Sequence, residues 1–155
     1  MYTVAEKVGN LVQVANDDGI SIAHCINADF AMGAGIADQL NMEFGIRAEL
    51  EEMIDPAVRR IGNVVVLKRQ LANGAIVSIF NLITKATARD RPTYEDFTLA
   101  VTRLRDSCLH QRVTSLGIPR MGCGIDRLEW PRVRSILEST FAESGISLTV
   151  YQLAR

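Results

Sequence analysis

The chain lacks any recognisable metal-binding arrangement of cysteines. Cys25, Cys108 and Cys123 are odd in number and show no C-x-x-C spacing, which argues against a disulfide framework and against a zinc site, and favours a reducing compartment. It also lacks charge of one sign. With 17 basic and 18 acidic residues the net charge is −1, so there is no global electrostatic case for nucleic acid or membrane binding. The local pairs Arg59-Arg60 and Lys68-Arg69 read as a solvated rim. No apolar run approaches the ~20 residues of a membrane span. The opening residues, Met1 to Lys7, carry acidic and polar side chains early and lack the basic and apolar regions of a signal peptide. No linker, repeat or low-complexity tract interrupts the chain. These absences give the expectation of a cytoplasmic protein with no membrane partner, folded as one domain over residues 1–155.

What is present suits a packed core. Apolar residues make up 48% of the 155 and charged residues 23%, an ordinary balance for a globular domain of this length. Residues 2–14 alternate loosely and read as one or two edge strands around Gly9-Asn10, with a turn at Asn16-Asp-Asp-Gly19. A strand follows over 20–26, then a loop to Met32. A helix is expected from Gly33, because Ile36, Leu40 and Phe44 fall four apart on one face, and Gly45 stops it. A second short helix is read over 47–54. The β-branched run 63–67 predicts a buried strand, and Asn73-Gly74 predicts a hairpin turn into a strand over 75–83. Thr93 with Asp96 three residues on marks a helix start, and Phe97, Val101, Leu104 and Cys108 form its apolar stripe. Residues 115–118 read as a strand. Pro131 opens the last helix, with Trp130, Val133, Leu137 and Phe141 on one face, and a final strand covers 147–153. Helices alternate with strands around one hairpin, so the fold class is α/β, a three-layer α/β/α domain with a mixed central sheet.

Three strand ends carry unusual residues: Cys25 to Gly35, Thr84-Lys85, and Met121 to Asp126. If the core strands run parallel, all three share one edge of the sheet, where open α/β sheets build their sites. Gly33-Ala34-Gly35 at a helix start offers backbone N–H groups and a positive helix end suited to a pyrophosphate, or else a simple tight turn. It is not a P-loop, because no Gly-Lys-Ser/Thr follows. It is not a full dinucleotide fingerprint either, because Asp38 stands in place of the third glycine. Gly122 and Gly124 flank Cys123 in a second loop of the same design. Lys85 is either an exposed lysine or a nucleophilic amine. A lysine is ordinarily protonated at neutral pH (reference pKa about 10.4), so a nucleophilic role needs a neighbour to take its proton. Asp126 is the candidate neighbour, with a turn or cap as its plainer role. His24 and Cys25 alternate across a strand, so one is core and the other packs under a helix. Asn27 and Asp29 suit sugar hydroxyls, or turn formation.

Taken together, His24-Cys-Ile-Asn-Ala-Asp29, Met32-Gly-Ala-Gly-Ile-Ala37, Leu82-Ile-Thr-Lys85, Arg91-Pro-Thr-Tyr-Glu95 and Pro119-Arg-Met-Gly-Cys-Gly-Ile-Asp-Arg-Leu-Glu-Trp130 resemble a macrodomain. The nearest subclass is the terminal ADP-ribose protein glycohydrolase type (the ALC1-like branch), and the resemblance runs in order along nearly the whole chain. It implies an α/β/α domain that binds ADP-ribose and removes it from modified acidic side chains, with related members acting on ADP-ribosylated guanine in DNA and with O-acetyl-ADP-ribose as a further substrate. It implies that Lys85 attacks the distal ribose and that Asp126 assists and resolves the lysyl adduct. The ligand-binding residues it implies are Gly9, Asn10, Leu11, Asn27, Asp29, Met32, Gly33, Ala34, Gly35, Ile36, Thr84, Pro119, Arg120, Met121, Gly122, Cys123, Gly124, Ile125 and Tyr151. Neither cofactor nor metal is implied. The implied partners are ADP-ribose and ADP-ribosylated macromolecules, protein ahead of DNA, for a monomer. Asn10 departs from the pattern, which commonly has an aspartate after the first glycine. Asparagine keeps a carbonyl acceptor for the adenine amino group but loses charge assistance. The alternatives are a DNA-directed hydrolase, using Arg120, Arg127, Arg132 and Arg134, and a reader module that binds ADP-ribose without chemistry.

Overall fold

The computed structural model describes residues 2–123 and 126–153. Six strands form one sheet: β1 (Ala5–Val8), β2 (Ser21–Asn27), β3 (Val64–Gln70), β4 (Ile76–Lys85), β5 (Ser115–Ile118) and β6 (Ser147–Gln152). Their spatial order is β1-β6-β5-β2-β4-β3. All neighbours are parallel except β3 and β4, which pair antiparallel. The mixed sheet expected from the Asn73-Gly74 hairpin is therefore present, with the antiparallel strand at an edge.

Among the described residues five α-helices cover the sheet: α1 (Leu11–Asp18), α2 (Gly35–Phe44), α3 (Ile46–Glu51), α4 (Tyr94–His110) and α5 (Trp130–Phe141). Alternation along the strands sends side chains to two separate cores. Ile22, Ile26, Ile79 and Ile83 pack with Leu11, Leu40, Ile46 and Leu50 of α1, α2 and α3. Ala23, Phe80, Leu82, Leu116 and Val150 pack with Phe97, Leu104, Val133 and Leu137 of α4 and α5. This is the three-layer α/β/α arrangement. β4 is the most enclosed strand, buried from Val77 through Lys85.

The α4 start is as the sequence predicts: the Thr93 hydroxyl oxygen accepts from the Asp96 amide at 3.0 Å, worth about 1 kcal/mol. The N-terminal region differs. Residues 5–8 form the edge strand β1, but 11–18 form a helix rather than a second strand and a turn. The Asn10 side chain caps it by accepting from the Gln13 amide at 3.1 Å. Leu11 and Ala15, four apart, are buried on its inner face. Gly19, at φ 64°, ends it. Helical burial of Leu11 and Ala15 overrides the loose alternation of Val12 and Val14. α2 begins at Gly35, two residues later than expected, because Ala34 is still extended (φ −157°, ψ 163°).

Candidate functional site

β2, β4 and β5 run parallel, so Asn27, Lys85 and Ile118 end at the same edge of the sheet. There a cavity of about 430 Å³ opens between two loops. One jaw is the segment from Asn27 to Ala37. The other comprises Pro119 to Gly122, with Asp126 beside it. At the floor the Lys85 ammonium forms an ion pair with the Asp126 carboxylate, with 6% and 15% of their side chains exposed. A lysine at a strand end would ordinarily reach water. Here β2 pairs with β4 as far as Lys85, and the lysine side chain is buried against its aspartate partner.

The first jaw offers an anion site built from backbone. Ala34 supplies no side-chain cap to α2, so no cap side chain accepts from the first N–H groups of the helix, and the helix starts at the cavity wall. Gly33, Ala34, Gly35 and Ile36 all line it. Gly35 holds φ 65°, and an added Cβ there would meet nothing within 4 Å, so its backbone conformation, not space, asks for glycine. In the second jaw Gly122 holds φ 70°, and an added Cβ would come 2.7 Å from Leu128 Cδ1. Its carbonyl accepts from the Leu128 amide at 2.7 Å, and the Arg120 carbonyl accepts from the Cys123 amide at 3.2 Å, closing the loop. Asp126 lies between the two residues joined by the Gly122–Leu128 hydrogen bond and pairs with Lys85.

Of the residues singled out in the sequence, Asn27, Gly33, Ala34, Gly35, Ile36, Lys85, Pro119, Arg120, Met121, Gly122 and Asp126 line the cavity. Gly124 and Ile125 lie outside the described residues. The others sit elsewhere. Asp29 makes a turn, its carboxylate accepting from the Ala31 amide at 3.0 Å. Met32, Thr84 and Leu11 are buried. The Cys123 thiol lies 3.3 Å from the Met121 carbonyl that it can donate to. Asn10 is the α1 cap. Tyr151 packs its ring over the sheet at Gly9 and Gly117, where an added Cβ would lie 3.2 and 3.3 Å from ring carbons.

Cys25, Ile26, Ala31, Ala37 and Ala88 also line the cavity, beyond the ligand-binding residues that the resemblance implies. The signal for Cys25 was the alternation: His24 lies on the face of Ile22 and Ile26 and is fully buried, which leaves Cys25 on the other face, two residues from the strand end. Burial pushes its thiol up, followed by the Asp126 charge. It therefore sits as a neutral group beside the ion pair. The Cys123 thiol is also raised by burial, though Arg120 opposes this. Arg59 is not part of a solvated rim as expected. Its guanidinium carbon lies 3.9 Å from the centroid of the Phe30 ring, and Nη1 donates to the Ala28 carbonyl at 3.0 Å.

No protein-family model matches the chain. In solved structures the fold recurs in the macrodomain of Mycobacterium tuberculosis DarG, at a TM-score of 0.85 and 20% identity over 99% of this chain and all of that one. The ADP-ribose glycohydrolase OARD1 of Homo sapiens is 41% identical over 133 residues, 86% of this chain and 82% of the human protein. The chain belongs to the macrodomain family. The macrodomain fold is also shared by Thermosipho africanus DarTG, solved in complex with ADP-ribose, at a TM-score of 0.75 and 16% identity over 84% of this chain and 37% of that one. Within this macrodomain the cavity sits where three parallel strands end, and the Lys85–Asp126 pair is its most enclosed charged feature among the described residues.

Proposed function

We propose that this macrodomain is an ADP-ribosyl hydrolase that binds ADP-ribose and releases it from a modified acidic side chain. The observation that carries this reading is the enclosed Lys85–Asp126 pair at the floor of a cavity walled by two glycine loops. The 41% identity to a protein named as an ADP-ribose glycohydrolase supports it. In this reading the α2 amides from Gly35 to Ala37 take the diphosphate, and the backbone from Pro119 to Gly122 closes on it from the other side. Asn27 contacts the distal ribose. At the base end, the Asn10 carbonyl already accepts from Gln13 and keeps one lone pair for an amino group.

The chemistry follows from the pair. Lys85 gives a proton to the Asp126 carboxylate, and the free amine attacks the anomeric carbon of the distal ribose. A new C–N bond forms, the C–O ester bond breaks, and the substrate carboxylate leaves with its electron pair and takes the proton held by Asp126, which restores the Asp126 carboxylate. Asp126, again as base, takes a proton from water, which adds to the same carbon and expels the lysine amine. ADP-ribose is released and both residues return to their starting state. The nearby Cys25 thiol, held neutral, does not compete as a nucleophile. O-acetyl-ADP-ribose is a further substrate in this reading, cleaved by the same step where the acetyl group sits on the anomeric oxygen.

A protein ester fits this macrodomain better than DNA. A DNA-directed site needs free cations beside the cleft. Arg120 and Arg134 both pair with Glu6, and Arg134 also reaches Glu138. Arg132 stacks on the Tyr94 ring at 3.7 Å. The deciding experiment follows free ADP-ribose by mass from protein mono-ADP-ribosylated on glutamate and, in parallel, from DNA ADP-ribosylated on guanine. Release from protein, lost by at least about a thousandfold in Lys85→Ala with ADP-ribose binding retained, is the expected result. Full activity in Lys85→Ala would sink the mechanism. Binding without release from either substrate would make the protein a reader.

A further inference from the structure

Phe30 is fully buried at φ 59°. A bulky L-residue holds the left-handed region only when its surroundings fix it there, and such residues cluster at ligand clamps. Two contacts from Arg59 fall on this segment: the stacking on the Phe30 ring and the hydrogen bond to the Ala28 carbonyl. On its other side the segment is tied to β4. The Ala28 amide donates to the Lys85 carbonyl at 2.9 Å, and the Asp29 amide donates to the Ala86 carbonyl at 3.3 Å. The Phe30 amide closes the turn onto the Asn27 carbonyl at 3.0 Å. Residues 27–30 are thus held between Arg59 and the strand end that carries Lys85.

Arg59 is itself well placed for this. It ends a 3-10 turn, Pro56–Arg59, which Asp55 caps by accepting from the Ala57 amide at 3.0 Å. The Asn63 side chain donates to the Val58 carbonyl at 2.8 Å. Gly62 and Asn63 are joined in turn to Ile83 of β4 by backbone hydrogen bonds of 2.6 and 2.9 Å. Arg59 therefore reaches the loop from a base anchored to the same strand as Lys85.

We propose that Arg59 is a positioning residue for the reaction, acting through Ala28 and Phe30 to hold Asn27 and the Lys85 strand end in register. The reaction part rests on the hydrolase reading above; the holding of the loop does not. A planar fork that both stacks and donates suits this task, and lysine cannot reproduce it fully. A misplacement of about 1 Å in a catalytic constellation can cost on the order of a hundredfold in rate.

The test uses Arg59→Met and Arg59→Lys with two readouts. Amide hydrogen exchange at Ala28 and Asp29 is expected to rise by about tenfold or more in Arg59→Met, with α4 and α5 unchanged. In the release assay kcat is expected to fall about tenfold to a hundredfold, the ADP-ribose Kd to rise by less than kcat falls, because the α2 amides are untouched and only the Asn27 contact is disturbed, and Arg59→Lys to recover part of the loss. Unchanged exchange in the loop overturns the proposal. So does faster exchange with unchanged kcat, or a rise in exchange spread over the whole domain. If the wild type releases nothing, the hydrolase reading fails and the reaction role fails with it, while loop exchange still decides whether Arg59 holds residues 27–30.

Discussion

Lowering the pH from 7 to 5 is expected to weaken this fold through one side chain, His24. The residue lies on β2 in the core beneath α1, α2 and α3, with no exposed surface. Its Nε2 is 2.6 Å from the Asn81 Oδ1. The Asn81 amide nitrogen donates to the Val65 and Ile79 carbonyls, so its oxygen is an acceptor and the proton of the neutral ring sits on Nε2. Nδ1 has no hydrogen-bond partner among the described residues. A second proton would place a charge in the core and an N–H against nothing. Burial accordingly lowers the pKa from 6.5 to about 4, against a smaller opposing effect of the Asn81 hydrogen bond.

The unfolded chain therefore binds a proton on His24 throughout the window from about 6.5 down to about 4, while the folded chain does not. Stability from this group is intact above 6.5 and is lost as the pH falls through that window. The whole loss is roughly 3 kcal/mol at ~1.4 kcal/mol per pH unit. About 2 kcal/mol of it falls between pH 7 and 5, where carboxylates, with ordinary values near 4, are still mostly ionised. The assay is urea unfolding at half-unit pH intervals, in wild type and in His24→Gln, whose amide can still donate to Asn81. Wild type is expected to lose about 2 kcal/mol from pH 7 to 5, and His24→Gln, though less stable at pH 7, to lose much less. A flat wild-type profile, or an equal slope in the variant, refutes the reasoning.

Two other predictions concern the glycine loops and the thiols. Gly122→Ala adds a clash with Leu128 to a left-handed backbone, whereas Gly35→Ala meets only the backbone cost. The first is expected to cost about 1–3 kcal/mol more in urea unfolding than the second, and equal losses would mean that Leu128 gives way freely. Burial raises all three thiols, Cys108 to about 12. Each is therefore expected to react with a disulfide reagent at pH 7.5 at least about tenfold more slowly than free cysteine, and one fast thiol in the native protein would contradict this.

The layer order and the strand ends that meet at the site were legible because their signals are local. The hairpin at Asn73-Gly74, the Thr93 cap and the β-branched run before Leu67 each act over a few residues. Lys85 and Asp126, 41 residues apart, could be brought together on paper because Lys85 ends β4 and Asp126 lies in the loop that follows β5, both strands running parallel to β2 in one sheet. The helix α1 was not legible. It spans eight residues, and its two inward positions do not outweigh two valines that alternate. Arg59 was harder still: its contact with Phe30 spans 29 residues and leaves no periodic trace, so a basic pair looked like surface. Asp29 illustrates the reverse case, a residue type common in sugar sites that in this structure closes a local turn.

A chain of net charge −1 needs no cluster of cations to hold a diphosphate. Buried cations would each need a desolvated partner, and such pairs gain little net energy after desolvation. Backbone amides carry no such cost: the N-terminus of α2 presents donors already fixed by the helix, and the glycines let a ligand approach them without a Cβ between. The enclosed lysine of the cavity is then free for another task. Its partner Asp126 is one that can also accept its proton, and a neutral thiol beside both leaves the pair's charge undisturbed. A reader of ADP-ribose would need the amides and the cavity alone. The proton-accepting neighbour of an enclosed lysine is the feature that binding does not require, and it is why the hydrolase reading is preferred to the reader.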